Sequence, residues 1–394
     1  MLTPQAKPET LEAIARAAAT AGIERIHMFA WRDLDDVEAG GSEVHAHCVA
    51  SIWAQAGLNV VHRTSFAPGH PQQAGRAGYE VVRKAGRYMV FPRTVLAELA
   101  GRNGSRDALV EIWNGVPYLS PLWCSGPRMV WLHHVHGPMW AMSLPDTLAK
   151  AGVLLEERIA PKLYRRTPIV TLSNSSREEL VTDLGFSRAN VTVVSPGVDP
   201  KFSPGGTKSP TPLICSVGRL VPVKDFPRLV RIMAAVRARV PEARLVIVGE
   251  GYEREAIQAQ IDSLGATNFI YLAGRISDAA LINLYRMAWV TTSTSIREGW
   301  GMTMTEAAAC GTPSVATAIA GHADAVLEGV SGLLGTTDAE LTEHLVAVCT
   351  DAVLRERLSK GAAERAGQLT WDATAIDTFA VLAADAKRRS GSRK

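Results

Sequence analysis

The chain has 394 residues, which is too many for one ordinary core and suits two domains of about 200 residues each. With 47% hydrophobic and 21% charged residues and a net charge of +3, it has the composition of a soluble globular protein, and the charge is too small to argue for nucleic acid. Cys48, Cys124, Cys215, Cys310 and Cys349 are odd in number and scattered, with no CxxC pair, which argues for reduced, buried thiols over a disulfide frame or a zinc site.

The first residues, MLTPQAKPETLEAIARAAATAG, lack the continuous apolar core of a signal peptide, and no stretch approaches the length of a spanning helix. A cytoplasmic protein, soluble or peripheral at the inner face of the membrane, is expected. Short apolar runs then alternate with amphipathic stretches, the pattern of repeated β-α units and a parallel sheet. In the first half the expected strands are RIHMFA (25 to 30), LNVVHR (58 to 63), YMVF (88 to 91), LVEIW (109 to 113), RMVWLH (128 to 133), PIVTL (168 to 172) and VTVV (191 to 194). The loop after the first, AWRDLDDVEAGGSEVHAH, pairs Gly40 and Gly41 with Ser42, a natural N-cap, and so predicts an anion-ready helix N-terminus. Asp33 and Asp35 form a D-x-D that reads more readily as a solvated acidic loop than as a metal site, because the remaining oxygen ligands are not evident.

Further on, RAGYEVVRKAGRYMVFPR is basic with apolar interleaving, and the chain ends KRRSGSRK. Together they raise peripheral contact with an anionic membrane, beside the plainer reading of a solvated face. After RMVWLH come His133, His134 and His136. On an extended segment His134 and His136 share a face and His133 does not, so substrate positioning or proton transfer is a better reading than zinc. Among Trp31, Trp113, Trp123, Trp131 and Trp140, most are expected in the core.

SPGVDPKFSPGGTKSPTP (195 to 212) reads as an interdomain linker from its prolines and glycines. A second strand series follows: LICSV (213 to 217), RLVIV (244 to 248), FIYL (269 to 272), WVTTS (289 to 293), PSVAT (313 to 317) and GLLG (332 to 335). SVGRLVPVKDF places Gly218, Arg219 and Lys224 just after a strand, where a guanidinium fork and a mobile ammonium suit a diphosphate. VGEGYERE has Gly249 and Gly251 but no third glycine, so it fails as a nicotinamide fingerprint. REGWGMTMTE sets Glu298 and Glu306 eight positions apart, and Thr303 with Glu306 fits a helix capping box, which leaves Glu298 unexplained.

GGSE, the histidine loop, SVGRLVPVKDF, VGEGYE, LAGRISDAALINLY and the E-x7-E of EGWGMTMTEAAACGTPSVAT occur in an order that resembles glycosyltransferase family four. The resemblance covers nearly the whole chain. It implies an α/β chain of GT-B architecture, with two Rossmann-like, doubly wound domains facing across a cleft and a C-terminal helix (about 373 to 390) crossing back onto the first. Residues 1 to 200 would bind the acceptor and 201 to 372 the nucleotide-sugar donor. It further implies a retaining, metal-independent hexosyltransferase that uses GDP-mannose or a UDP-sugar and an unidentified hydroxyl acceptor on a glycan, lipid or small molecule. No cofactor, metal or nucleic acid is implied. By the same resemblance Glu298 contacts the donor sugar, Glu306 the ribose, and the loop Gly299, Trp300, Gly301, Met302 and Thr303 approaches sugar and phosphates. Arg219 and Lys224 bind the diphosphate, with Gly218, Arg275, Ile276, Gly40 and Gly41 beside the donor. The active-site histidine is His136 or His134, with His136 favoured by its flanking Trp and Met. A non-catalytic sugar-nucleotide binder and a glycoside hydrolase are the rival readings, the hydrolase disfavoured by the expected capping role of Glu306.

Overall fold

The computed structural model describes residues 3–137, 139–143 and 145–391, without the Ser143 side chain. Pro138 of the histidine loop and the last three residues of the basic tail, 392–394, lie outside the described residues. The chain folds as two α/β units. The first runs through Gly197 and resumes at Thr370, and the second is Val198–Leu369.

Among the described residues, the first unit contains β1 (Arg25–Phe29), β2 (Asn59–Thr64), β3 (Gln73–Arg76), β4 (Tyr79–Arg83), β5 (Ala108–Trp113), β6 (Arg128–Leu132), β7 (Ile169–Thr171) and β8 (Val191–Val193). Their order across the sheet is β3-β4-β2-β1-β5-β6-β7-β8. All neighbours are parallel except β3 and β4. The second unit contains β9 (Leu213–Val217), β10 (Arg244–Val248), β11 (Ile270–Gly274), β12 (Val290–Ser293), β13 (Ser314–Thr317) and β14 (Gly332–Gly335), ordered β11-β10-β9-β12-β13-β14 and parallel throughout. Helices cover both faces of this sheet, which is why its strands read as nearly unbroken apolar runs. Ile214, Leu245, Ile247 and Val290 are buried with Phe226 and Met233 of the helix Phe226–Arg239.

Strand order reverses between β1 and β5 in the first sheet and between β9 and β12 in the second. The loops leaving the carboxyl ends of those strands diverge, and a crevice opens where ligands bind in such folds. The C-terminal helix Trp371–Gly391 returns to the first unit. There Phe379 meets Trp53 edge-on at 5.6 Å, Trp53 Nε1 donates to the Ala375 carbonyl at 3.1 Å, and the Asp385 carboxylate accepts from the Arg128 amide at 3.0 Å.

One expectation is corrected. YMVF is not a strand: Val90 and Phe91 open the helix Val90–Leu99, and the edge of the sheet is the hairpin β3–β4. That hairpin turns on Ala77 and Gly78, both at positive φ (48° and 88°), the conformation a two-residue β-turn between twisted strands requires. An Ala-Gly turn is a weak sequence signal, so the run YEVVR was hidden in it. The boundary between the units, after Gly197, falls within 195 to 212, and the rest of that segment belongs to the second unit. Phe202 and Ser209 are buried in the second unit, and the Ser203 carbonyl accepts from Arg286 Nε at 2.8 Å. Among the described residues, no helix is long and apolar enough to cross a membrane.

Candidate functional site

In the second unit the predicted residues Gly218, Lys224 and Glu298 meet at the switch point between β9 and β12. After β9 the chain passes Gly218 and Arg219 and enters a short 3-10 turn, Pro222–Lys224, that aims Lys224 back over the strand ends. Asp225 then caps the helix Phe226–Arg239, accepting from the Arg228 amide at 3.2 Å. After β12, the loop 294–301 brings Glu298 to the same place. Lys224 Nζ donates to Glu298 Oε1, which also accepts from Ser295 Oγ at 3.0 Å. Burial opposes ionisation of Glu298, but the charge of Lys224, with hydrogen bonds from Lys224 and Ser295, holds its carboxyl below the usual range. A carboxylate and an ammonium thus lie side by side at the strand ends.

The glycines of VGEGYE serve this loop. A side chain at Gly249 would place Cβ 1.9 Å from the Gly218 carbonyl oxygen, and the Gly218 amide donates to the Val248 carbonyl at 3.0 Å. The close backbone contact that supports Gly218 and Arg219 is the reason for the glycine.

Glu306 does not cap a helix. The helix Met302–Ala309 begins after Gly301, its N-cap, with no side-chain cap, so Thr303 sits at the second position and Glu306 at the fifth. Half-buried, Glu306 accepts from Tyr285 Oη at 3.3 Å. Burial, with help from the charges of Asp199 and Asp278, pushes its carboxyl up to about 7 against the pull of Lys201 and Tyr285. The capping argument against a hydrolase therefore falls. Of the remaining loop residues, Gly299 and Trp300 are buried, and Gly301, Met302 and Thr303 are half-buried. Arg275 and Ile276 follow β11, Arg275 exposed, at the carboxyl edge of the same sheet. Sequence reasoning missed His322, which is buried against this loop. Its Nδ1 bonds the Thr317 carbonyl at 3.0 Å, and burial drops its pKa to about 4, so the ring is neutral. Its Cδ2 lies 3.3 Å from the Cβ position of Gly301.

In the first unit, the loop after β1 stands at the β1/β5 switch point. Gly40, not Ser42, is the N-cap of the helix Gly41–Gln55, and its amide donates to Glu43 Oε2 at 2.7 Å. That donor is already engaged, which leaves the next amides of the turn for an anion. Asp33 and Asp35 are not a solvated loop. Arg76 of β3 and Arg83 of β4 clamp both: Arg83 Nε lies 2.6 Å from Asp33 Oδ2, and Arg83 Nη2 lies 2.7 Å from Asp35 Oδ2. Burial would raise the Asp33 carboxyl, yet the bonds and charges of Arg76, His62 and Arg83 hold it far below the usual range.

After β6, His133 turns inward to His45, with Nε2 and Nδ1 3.0 Å apart. His134 and His136 stack on the other side with ring centroids 4.9 Å apart. Glu156, fully buried, organises this loop: its carboxylate accepts from the amides of His136 (2.9 Å) and Gly137 (3.1 Å) and from Trp140 Nε1 (2.9 Å), and it lies 3.8 Å from His136 Nδ1. A π-helical turn, Leu155–Ile159, carries it. Sequence reasoning missed Glu156 too, although a signal was present. Ala149, Gly152, Ala160 and Tyr164 form one buried stripe, and Glu156 is the carboxylate within it. Trp113, Trp131 and Trp140 are core residues.

The chain is similar to known proteins over most of its length. The family described as "Glycosyltransferase Family 4" matches residues 39–202, and "Glycosyl transferases group 1" matches residues 199–365. A D-inositol 3-phosphate glycosyltransferase of Kribbella flavida is 35% identical over 253 residues, which is 58% of this chain and 58% of that protein. The chain thus spans 58% of the length of that curated relative. Among solved structures, sucrose-phosphate synthase from Thermosynechococcus elongatus superposes with TM-score 0.77 at 18% identity, covering 94% of this chain and all of that one. HepE of Anabaena in complex with UDP and glucose gives 0.69 at 18% identity, covering 91% and 98%. The two consecutive family matches together run from residue 39 to residue 365, so most of the chain is similar to glycosyltransferases, and the solved neighbours share its fold.

Proposed function

We propose that the chain is a retaining glycosyltransferase that moves a hexose from a nucleotide-diphosphate sugar, GDP-mannose or a UDP-sugar, to a hydroxyl group. The observation that carries this reading is the Lys224–Glu298 pair at the β9/β12 switch point, with Glu306 eight residues further along the chain, at the fifth position of the helix Met302–Ala309. Departure of a diphosphate leaves negative charge on its oxygens while the anomeric carbon becomes cation-like, so preorganised donors beside the phosphates stabilise the transition state most. Lys224, Arg219 and the amides at the start of the helix Met302–Ala309 fill that role. Glu298 receives the sugar hydroxyls and Glu306 the ribose. The acceptor attacks on the face from which the phosphate leaves, which retains the configuration.

His136, held by Glu156, is the histidine of the acceptor-binding unit in this reading. The name of the Kribbella relative supports a phosphorylated cyclitol as acceptor. No metal is required in this reading, and engagement of Asp33 and Asp35 by two arginines supports that. A panel of nucleotide sugars incubated with inositol 3-phosphate, other polyol phosphates and no acceptor tests it. One donor should give transfer to a phosphorylated polyol and slow hydrolysis without it. Binding of a donor with neither outcome would identify a non-catalytic nucleotide-sugar binder.

A further inference from the structure

The helix Val90–Leu99 buries one side on the first unit and leaves the other bare. Phe91 and Val95 pack with Phe29, Tyr118 and Trp123, and Glu98 bonds His27 at 2.8 Å and pairs with Arg106. On the opposite stripe, at helical spacing, Met89 is 52% exposed, Leu96 64% and Leu99 63%. Tyr88 (74%) extends the stripe before the helix, and Leu122 (64%) extends it from the short helix Ser120–Trp123 beside Trp123. A single exposed leucine needs no explanation, but five large apolar side chains on one face do.

The unpaired charges that flank this stripe are basic. Lys84, Arg93 and Arg102 are exposed and make no side-chain hydrogen bond or ion pair among the described residues. The acidic residue of the helix, Glu98, is buried and paired. Arg76 and Arg83 of the same basic segment are turned onto Asp33 and Asp35 and add nothing here.

We propose that this face docks the protein on an anionic lipid bilayer. Leu96, Leu99, Met89 and Leu122 enter the boundary between headgroups and acyl chains, Tyr88 sits at headgroup level, and Lys84, Arg93 and Arg102 meet the lipid phosphates. Apolar side chains within a basic surround match such a surface in both hydrophobicity and charge. A two-fold dimer through the same stripe is disfavoured, since it would bring the unpaired cations of one copy toward those of the other. The proposal is independent of the glycosyl-transfer reading.

The test is sedimentation of the full chain with phosphatidylcholine vesicles, alone or with about one third phosphatidylglycerol, at low and high salt. Binding is expected on anionic vesicles, weak on neutral ones, and reduced by salt. Leu96→Glu with Leu99→Glu should lower partitioning by about tenfold or more. Arg93→Glu with Arg102→Glu should do the same, because each basic residue at an anionic surface is worth about fivefold. Both variants should melt like the parent, since all four side chains face solvent, and Val353→Glu, exposed in the second unit, should bind like the parent. Failure of the parent to pellet with anionic vesicles, or pelleting of both double variants as well as the parent, overturns the proposal. So does concentration-dependent self-association, seen by light scattering, that Leu96→Glu abolishes in a protein without vesicle binding.

Discussion

Replacing Glu306 by Gln should move stability and nucleotide affinity in opposite directions. Burial raises this carboxyl from 4.5 to about 7, although Lys201 and Tyr285 pull the other way. An acid with a raised folded pKa binds more protons folded than unfolded between those two values, so its contribution to stability falls as pH climbs through that window and stays low above it. The shift, at about 1.4 kcal/mol per unit, sets a ceiling of about 3 kcal/mol. Solvent reaching the half-buried side chain reduces this to about 1 to 2 kcal/mol. Glu306→Gln escapes the penalty and should be more stable than the parent by that amount near pH 8 and equal to it near pH 4. Binding responds oppositely. A carboxylate accepts from two vicinal ribose hydroxyls and an amide offers one acceptor, so affinity for a nucleoside diphosphate should drop by about 1 to 3 kcal/mol. Because the ionised form binds, parent affinity should gain up to about tenfold per pH unit on approaching 7, with little such dependence in the variant. Denaturant titrations and calorimetry across this range measure both, and the difference between the two proteins cancels titration of the diphosphate itself. A variant that is less stable than the parent near pH 8, or that binds nucleotide equally well, would refute the reasoning.

Glu298→Gln should leave affinity for the bare nucleoside diphosphate nearly unchanged while cutting kcat with the matched donor by about a hundredfold or more, since its partner is the reacting sugar. Lys224→Met should weaken nucleoside diphosphate binding by about tenfold to a hundredfold in calorimetry and leave the free nucleoside unaffected. Glu156→Ala strands three N–H donors, of His136, Gly137 and Trp140, and should cost about 2 to 4 kcal/mol in denaturant titration, with kcat falling more than KM rises. Asp33→Asn breaks the arginine clamp and should cost about 3 kcal/mol of stability, whereas a chelator should leave parent turnover unchanged; turnover lost to chelation and restored by a divalent cation would overturn the metal-free reading.

The second unit was legible because its signals are local. Each strand is a continuous apolar run between helices, and Lys224 and Glu298 each lie a few residues beyond a strand end, where the switch point brings them together. The first unit depends on pairings distant in sequence. Asp33 and Asp35 look like a solvated or metal-binding pair until the hairpin β3–β4 delivers Arg76 and Arg83 from some fifty residues downstream. Without the hairpin, which an Ala-Gly turn concealed, the basic segment around Arg83 read as surface charge. Glu156 differs: it lies at ordinary helical spacing on the stripe of Ala149, Gly152, Ala160 and Tyr164, but the amides and indole that it accepts from lie on the loop 136–140, which the spacing does not reveal.

The two Thr-x-x-Glu sequences of the second unit show where a local pattern stops being decisive. Thr337 and Glu340 form a true capping box: the Thr337 hydroxyl accepts from the Glu340 amide at 3.1 Å, and the Glu340 carboxylate accepts from the Thr337 amide at 3.2 Å. Thr303 and Glu306 have the same spacing and do neither, because their helix starts two residues earlier, at Gly301. The carboxylate released from that duty is set in a half-buried position where burial and two neighbouring aspartates hold its proton on to about pH 7. A chain selected only for stability would place a cap or an apolar residue there. An acid kept at a cost to the fold, in the helix that follows the switch-point loop, fits the binding of a ligand with hydroxyls.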